Sequence, residues 1–192
     1  NRIFSASQLA TIHVPEKSST AERSGTILST IYALAATVDA KDHYTYGHSK
    51  KVSKYAVDIA TALGYSADRI ETIRTAGLLH DIGKIGISDR ILSKPATLTE
   101  EEWEPIHAHP IMGVSVIKHV EGIKDCLAAV QYHHERYDGT GYPTGLKGDN
   151  IPIDARILAV ADSYDAMTSA RPYREQPIPR GEALEELIRC AR

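Results

Sequence analysis

Nine histidines occur among 192 residues, and several are grouped rather than scattered. His80-Asp81 and His133-His134 are adjacent pairs, while His48, His109 and Asp162 fall on separate predicted helices. A single histidine is most often a core or surface residue with a satisfied hydrogen bond. Helical spacing changes that reading. His48 shares a stripe with Val52, Tyr55 and Ile59, and Asp162 shares one with Leu158, Asp165 and Ala166. His109 lies between Ile106 and Met112. Each of these side chains is therefore expected to point inward. A buried carboxylate is costly unless it is paired or bound to metal, and the nearby sequence offers few cations. One or more divalent metals would satisfy all these groups. Imidazole mixed with carboxylate suits iron, manganese, nickel or zinc rather than thiolate chemistry. Lys84, after Gly83, is either a solvated surface lysine or a point charge aimed at a phosphate beside the metals.

The elements that must carry these residues read as helices. Ile27, Ile31, Leu34, Ala35 and Val38 recur at helical spacing, and a second pattern runs from His48 to Leu63 and ends at Gly64. Ser66 or Asp68 can cap a third helix through Ile70, Ile73, Gly77 and His80. Thr99 with Glu102 forms a capping-box pattern for a fourth, from Glu100 to about Val120. Leu127–Glu135, Asp154–Ser169 and Glu182–Arg192 complete the set. No stretch alternates apolar and polar residues convincingly, so strands are not expected. The one long irregular stretch is Tyr137–Ile153, rich in glycine and proline, and a loop of that length is more often functional than idle. The expected class is all-α, a single bundle with one elaborate loop and an N-terminal helical arm. Residues 1–23 read as a linker or the tail of an upstream region, and 24–192 as the domain. The start at Asn1 and the uncapped last helix suggest an excerpt of a longer chain, truncated at the C-terminus.

Composition narrows the functional classes. The formal net charge is -3, and 24% of residues are charged. A basic groove for a nucleic-acid polymer is therefore not expected, although a metal can still draw a small anionic ligand. Cys126 and Cys190 are far apart and form no metal or disulfide framework, so a reducing, cytoplasmic setting is the simplest. No apolar run reaches the length of a membrane span.

Two strings carry a resemblance. His80-Asp81-Ile82-Gly83-Lys84 resembles the signature of the HD phosphohydrolase superfamily. His133-His134-Glu135-Arg136-Tyr137-Asp138-Gly139-Thr140-Gly141-Tyr142-Pro143 resembles that of its HD-GYP branch. The likeness runs from roughly Val38 to Arg174. It implies an HD-domain bundle and a cyclic di-GMP phosphodiesterase of bacterial second-messenger signalling. It further implies that His48, His80, Asp81, His109, His133, His134 and Asp162 are metal ligands, with His109-Pro110 matching a His-Pro motif. His43, His107 and His119 fall outside the pattern. Some family members carry a glutamate one turn before the first histidine, which helps to hold a third metal. Tyr44 stands there in this chain, so two metals are expected, iron or manganese first, with nickel and zinc as alternatives.

Such a pair could clamp a phosphodiester. Asp81 is the natural bridging ligand, because a carboxylate offers two oxygens, and Lys84 would stabilise charge on the phosphate. The loop of Gly139, Gly141, Tyr142 and Pro143 is the expected substrate wall. Its glycines permit unusual backbone angles, and Tyr142 either faces a guanine or anchors the loop. Asp165 is expected to orient substrate or pair locally, and Arg171 and Arg174 to fork onto phosphate or guanine or remain solvated. The resemblance also implies docking of GGDEF-type cyclase domains, and the N-terminal helix is a candidate dimer arm. The competing readings are an HD hydrolase of another nucleotide and a non-catalytic cyclic-dinucleotide receptor. The expected product is the linear dinucleotide, with GMP following later if at all.

Overall fold

Apolar residues at helical spacing, punctuated by capping residues and glycines, leave helices as the regular elements of the described chain. The computed structural model describes residues 20–41, 47–170 and 176–190. Its helices are α1 (Thr20–Lys41), α2 (His48–Ala62), α3 (Ala67–Leu79), α4 (Asp89–Leu92), α5 (Glu100–Ile117), α6 (Leu127–Tyr132), α7 (Ile153–Thr168) and α8 (Arg180–Cys190). Short 3-10 segments at Ile82–Gly86, Lys124–Cys126 and Gly148–Asn150 join them. The all-α expectation holds.

Local chemistry sets most boundaries. The Ser66 side chain accepts from the Arg69 amide at the start of α3. At the start of α5, Thr99 Oγ1 accepts from the Glu102 amide while the Glu102 carboxylate accepts from the Thr99 amide. These reciprocal bonds satisfy two amides that a helix start leaves without partners. Helix α1 begins at Thr20, inside the stretch read as linker, and α4 is a four-residue turn too short to show periodicity. Helix α6 stops at Tyr132 rather than Glu135, so the double histidine lies just beyond its end.

The chain divides into two units, Asn1–Thr30 and Ile31–Arg192. The described part of the first is the opening of α1, and the elements that build the site lie in the second. There Ile31, Ala35 and Val38, Val52, Ala56 and Ala60, Ile73, Leu78 and Leu79, Val130, and Leu158 and Ala161 form one buried cluster. Small residues bring backbones together. A Cβ on Gly83 would meet the His109 carbonyl oxygen at 1.9 Å and the Gly113 amide nitrogen at 2.6 Å. Glycine at 83 thus lets the segment after His80-Asp81 lie against the backbone of α5, beside His109. Among the described residues no helix is long and apolar enough to cross a membrane.

Candidate metal centre

Three histidines of the site share one local device. His80 and His133 each sit one residue past a helix end, where the last carbonyls lack helical N–H partners. His80 Nδ1 donates to the Gly77 carbonyl at 2.8 Å, and His133 Nδ1 donates to the Val130 carbonyl at 2.7 Å. His109 lies inside α5, followed by Pro110. Proline has no N–H and so leaves the carbonyl four residues back without its helical donor. That carbonyl is Ile106, and His109 Nδ1 donates to it at 2.6 Å. In all three the acceptor is a carbonyl, so Nδ1 carries the proton and the Nε2 lone pair is left to point inward. The three Nε2 atoms are buried and have no hydrogen-bond partner. Buried polar atoms are rarely left so, and a lone pair fixed by a carbonyl behind it is the usual posture of a metal-bound imidazole.

The ligand-type atoms gather into two sets, Asp81 with His109, His133 and His134, and His48 with His80 and Asp162. Within each set all the atoms lie within 4.8 Å of one another. Asp81 spans both. Its Oδ1 is 3.3 Å from His109 Nε2, while its Oδ2 is 3.5 Å from His80 Nε2 and 3.9 Å from His48 Nε2. The donors are all nitrogen and oxygen, and the two sets fit a dinuclear divalent metal site. Lys84 Nζ donates to Asp81 Oδ2 at 2.7 Å, which places the ammonium at the centre rather than out in solvent.

Charge is distributed unevenly. Burial would raise Asp81, but Lys84, His80 and His109 outweigh it and hold the carboxyl well below its usual range. Asp162 is likewise pulled down, against its burial, by His48 and His80. Burial pushes His80 and His133 down, and it pushes His134 down to about 4. His48 behaves oppositely. Burial opposes its charge, but the carboxylates of Asp162 and Asp165 raise it to about 9. Its Nδ1 donates to Asp165 Oδ2 at 2.7 Å and its Nε2 faces Asp162 Oδ1 at 3.3 Å.

All seven residues expected as ligands are thus brought together. Asp165 is 1% exposed and holds His48 and Ser169, so it pairs locally and orients a histidine. The Tyr142 ring packs between His107 and His134, with centroids 4.4 and 4.7 Å away, and its amide donates to the His134 carbonyl. These contacts fit the loop-anchor reading of Tyr142. Gly139 does sit at positive φ, +83°. Gly141 does not; a Cβ there would lie 2.3 Å from the Arg136 amide nitrogen, so close packing of the loop on the double-histidine segment is what requires glycine. The peptide before Pro143 is cis. Arg171, Arg174 and Tyr44 lie outside the described residues.

Two residues have roles that the sequence did not assign to them. Glu135 is buried, and its Oε1 accepts from both the amide and the hydroxyl of Thr144 at 2.8 Å, tying the loop to the segment after His134. His107 is the histidine against which Tyr142 packs. Adjacency to His134 was the only signal for Glu135, and His107 had none, because its partner is 35 residues away in sequence.

Comparison with known proteins places this geometry. The HD domain family matches residues 32–192. A Vibrio cholerae protein named 3'3'-cGAMP-specific phosphodiesterase 3 is 44% identical over 158 residues, which are 81% of this chain and 34% of that protein. A Thermotoga maritima cyclic di-GMP phosphodiesterase is 45% identical over 149 residues, 77% of this chain and 40% of that protein. The chain therefore spans little more than a third of the length of these relatives. A solved cyclic GMP-AMP specific phosphodiesterase of Vibrio cholerae superposes with a TM-score of 0.63 at 18% identity, covering 83% of this chain and 43% of that one, and so shares its fold. With its His-Asp pair, double histidine and Gly-Tyr-Pro loop in one all-helical bundle, the chain belongs to the HD domain family, in its HD-GYP branch.

Proposed function

We propose that this chain hydrolyses cyclic di-GMP to the linear dinucleotide, using two divalent ions held by His48, His80, Asp81, His109, His133, His134 and Asp162. One observation carries the reading: the two oxygens of Asp81 are divided between two ligand sets in which His80, His109 and His133 present buried Nε2 atoms without a hydrogen-bond partner. Bound there, a pair of divalent ions would supply Lewis acidity and lower the pKa of a water toward neutrality. The chain's residues do the rest. Carbonyl bonds to Nδ1 fix three rings, Asp165 fixes the fourth, and Lys84 offers its ammonium to a phosphate oxygen. A water oxygen forms a new bond to phosphorus as the P–O bond to one ribose breaks, and the departing ribose oxygen takes up the proton that the water releases. Iron or manganese is the assigned pair, with nickel and zinc as alternatives. Seven side chains suffice for two ions, and a phenol at Tyr44 is a poor ligand at pH 7, so we assign two rather than three. With one diester clamped, the linear product accumulates ahead of GMP.

The relatives' names support the class of substrate. They also favour a second reading, hydrolysis of 3',3'-cGAMP, which shares one guanine and the same kind of diester. Arg171 and Arg174 remain candidate substrate contacts. We further assign residues 24–192 to the catalytic domain, 1–23 to a connection with an upstream region, the arm at α1 to dimerisation and the loop to a GGDEF-type partner. A cytoplasmic setting suits the free thiols of Cys126 and Cys190. The test is Asp81→Ala. Losing the shared carboxylate should remove at least one metal per chain by elemental analysis and abolish turnover. A fully active variant with normal metal content would overturn the assignment.

A further inference from the structure

Trp103 is the chain's sole tryptophan, and it stands 42% exposed on α5. It ends a line of rings that starts in the metal centre. The Tyr142 ring is 4.7 Å from His134, His107 is 4.4 Å from Tyr142, and Trp103 is stacked on His107 at 5.5 Å with an interplanar angle of 27°. The indole is thus an exposed aromatic face three ring contacts from a ligand histidine.

Glu100, Trp103, Glu104 and His107 share one helical face, at i, i+3, i+4 and i+7. They line an open pocket of about 320 Å³. The two acids between them are engaged elsewhere: Glu101 accepts from Thr99, and Glu102 holds Lys94 and the Thr99 amide. Among the described residues, Glu100 and Glu104 have no such hydrogen-bond or ion-pair partner. An exposed indole beside free carboxylate acceptors offers both a stacking face and hydrogen-bond partners.

We propose that this pocket is a nucleobase subsite, with Trp103 as the stacking platform and the Glu100 and Glu104 carboxylates as acceptors that favour guanine. The proposal rests on the cyclic-dinucleotide reading above and deepens it. A base stacks on an aromatic face whatever its identity. Selection comes from the edge. Guanine presents N1–H and N2–H₂ side by side, two donors that match the two oxygens of one carboxylate. Adenine presents one donor beside a ring lone pair, and that lone pair would face a carboxylate oxygen. The phosphate would lie at the metals while the base lies on α5, at the outer end of the ring line.

The single tryptophan makes the test direct. Metal-loaded protein in excess is mixed with cyclic di-GMP in a stopped-flow fluorimeter. The indole emission is expected to fall on binding and to recover as product leaves. In steady state, Trp103→Ala should lower kcat/KM for cyclic di-GMP roughly 5- to 150-fold, mostly through KM. Turnover of methyl p-nitrophenyl phosphate, a diester with no purine, should not change. Trp103→Phe should keep most of the wild-type KM, and Trp103→Leu, which retains bulk without a ring, should behave like Trp103→Ala. The double variant Glu100→Gln/Glu104→Gln should lower the preference for cyclic di-GMP over cyclic di-AMP roughly 10- to 150-fold. Unaltered emission together with an unaltered KM in Trp103→Leu overturns the subsite and leaves the phosphodiesterase reading standing. A wild-type protein that hydrolyses the simple diester but no cyclic dinucleotide overturns both.

Discussion

Acidifying the solution should empty one half of the metal centre long before the other. His48 is the reason. In the metal-free protein it lies between Asp165 at 2.7 Å and Asp162 at 3.3 Å, and these carboxylates raise it to about 9. It therefore carries a proton across the physiological range, and an ion entering the His48, His80 and Asp162 set must displace that proton. Well below pH 9 each unit of acidification then costs about tenfold in affinity, so from pH 8 to pH 6 the loss is roughly 100-fold, about 2.7 kcal/mol. The other set has no such proton on its paired histidines, since burial lowers His133 and holds His134 down at about 4. Its affinity should therefore fall less steeply over the same interval. Metal-stripped protein titrated with Mn²⁺ by calorimetry at pH 6, 7 and 8, in buffers of different ionisation enthalpy, separates the two. One event should release close to one proton and weaken with acid; the other should release fewer protons and weaken less. Equal pH dependence at both events, or no proton release at the weaker one, would refute the argument. The same proton has the opposite effect on folding without metal. The folded value of about 9 exceeds the ordinary 6.5, so this stabilisation is complete below pH 6.5 and fades as pH rises toward 9. It amounts to about 3 kcal/mol at most, and denaturant melts of the stripped protein at pH 6 and 9 would show it.

Asp165→Asn should leave every ligand in place but weaken metal binding roughly 10- to 100-fold, because His48 loses the carboxylate that orients it; the pH dependence of the sensitive ion should flatten as well. Pro110→Ala restores a backbone N–H that competes with His109 for the Ile106 carbonyl. Metal affinity at the Asp81, His109, His133 and His134 set should fall while thermal stability of the stripped protein holds or rises, which calorimetry and melting together would check. Lys84→Ala should retain both metals by elemental analysis yet lower kcat more than it raises KM, as expected for a contact made mainly in the transition state. An unchanged kcat would reduce the Lys84 ammonium to a partner of Asp81 alone.

Much of the site was legible in the linear chain because its parts are local. A histidine at the end of a helix, or before a proline, finds its acceptor carbonyl three residues back, so His80, His109 and His133 declare their posture within a single turn. Helical periodicity likewise turned His48 and Asp162 inward before any packing was known. What the chain could not declare were contacts between elements distant in sequence. Asp165 carries the same spacing signal as Asp162, yet only the packing of α7 on α2 decides that one carboxylate faces the ligand cluster and the other faces the back of His48, 117 residues away. Tyr142 reads as either a guanine face or a loop anchor until the loop folds onto α5 and His107 packs against the ring. Trp103 reads as an ordinary helix residue, and its position at the end of the ring line exists only once α5 and the loop are assembled. Ring stacking and burial are set by which surfaces meet, and these surfaces meet only in the folded chain.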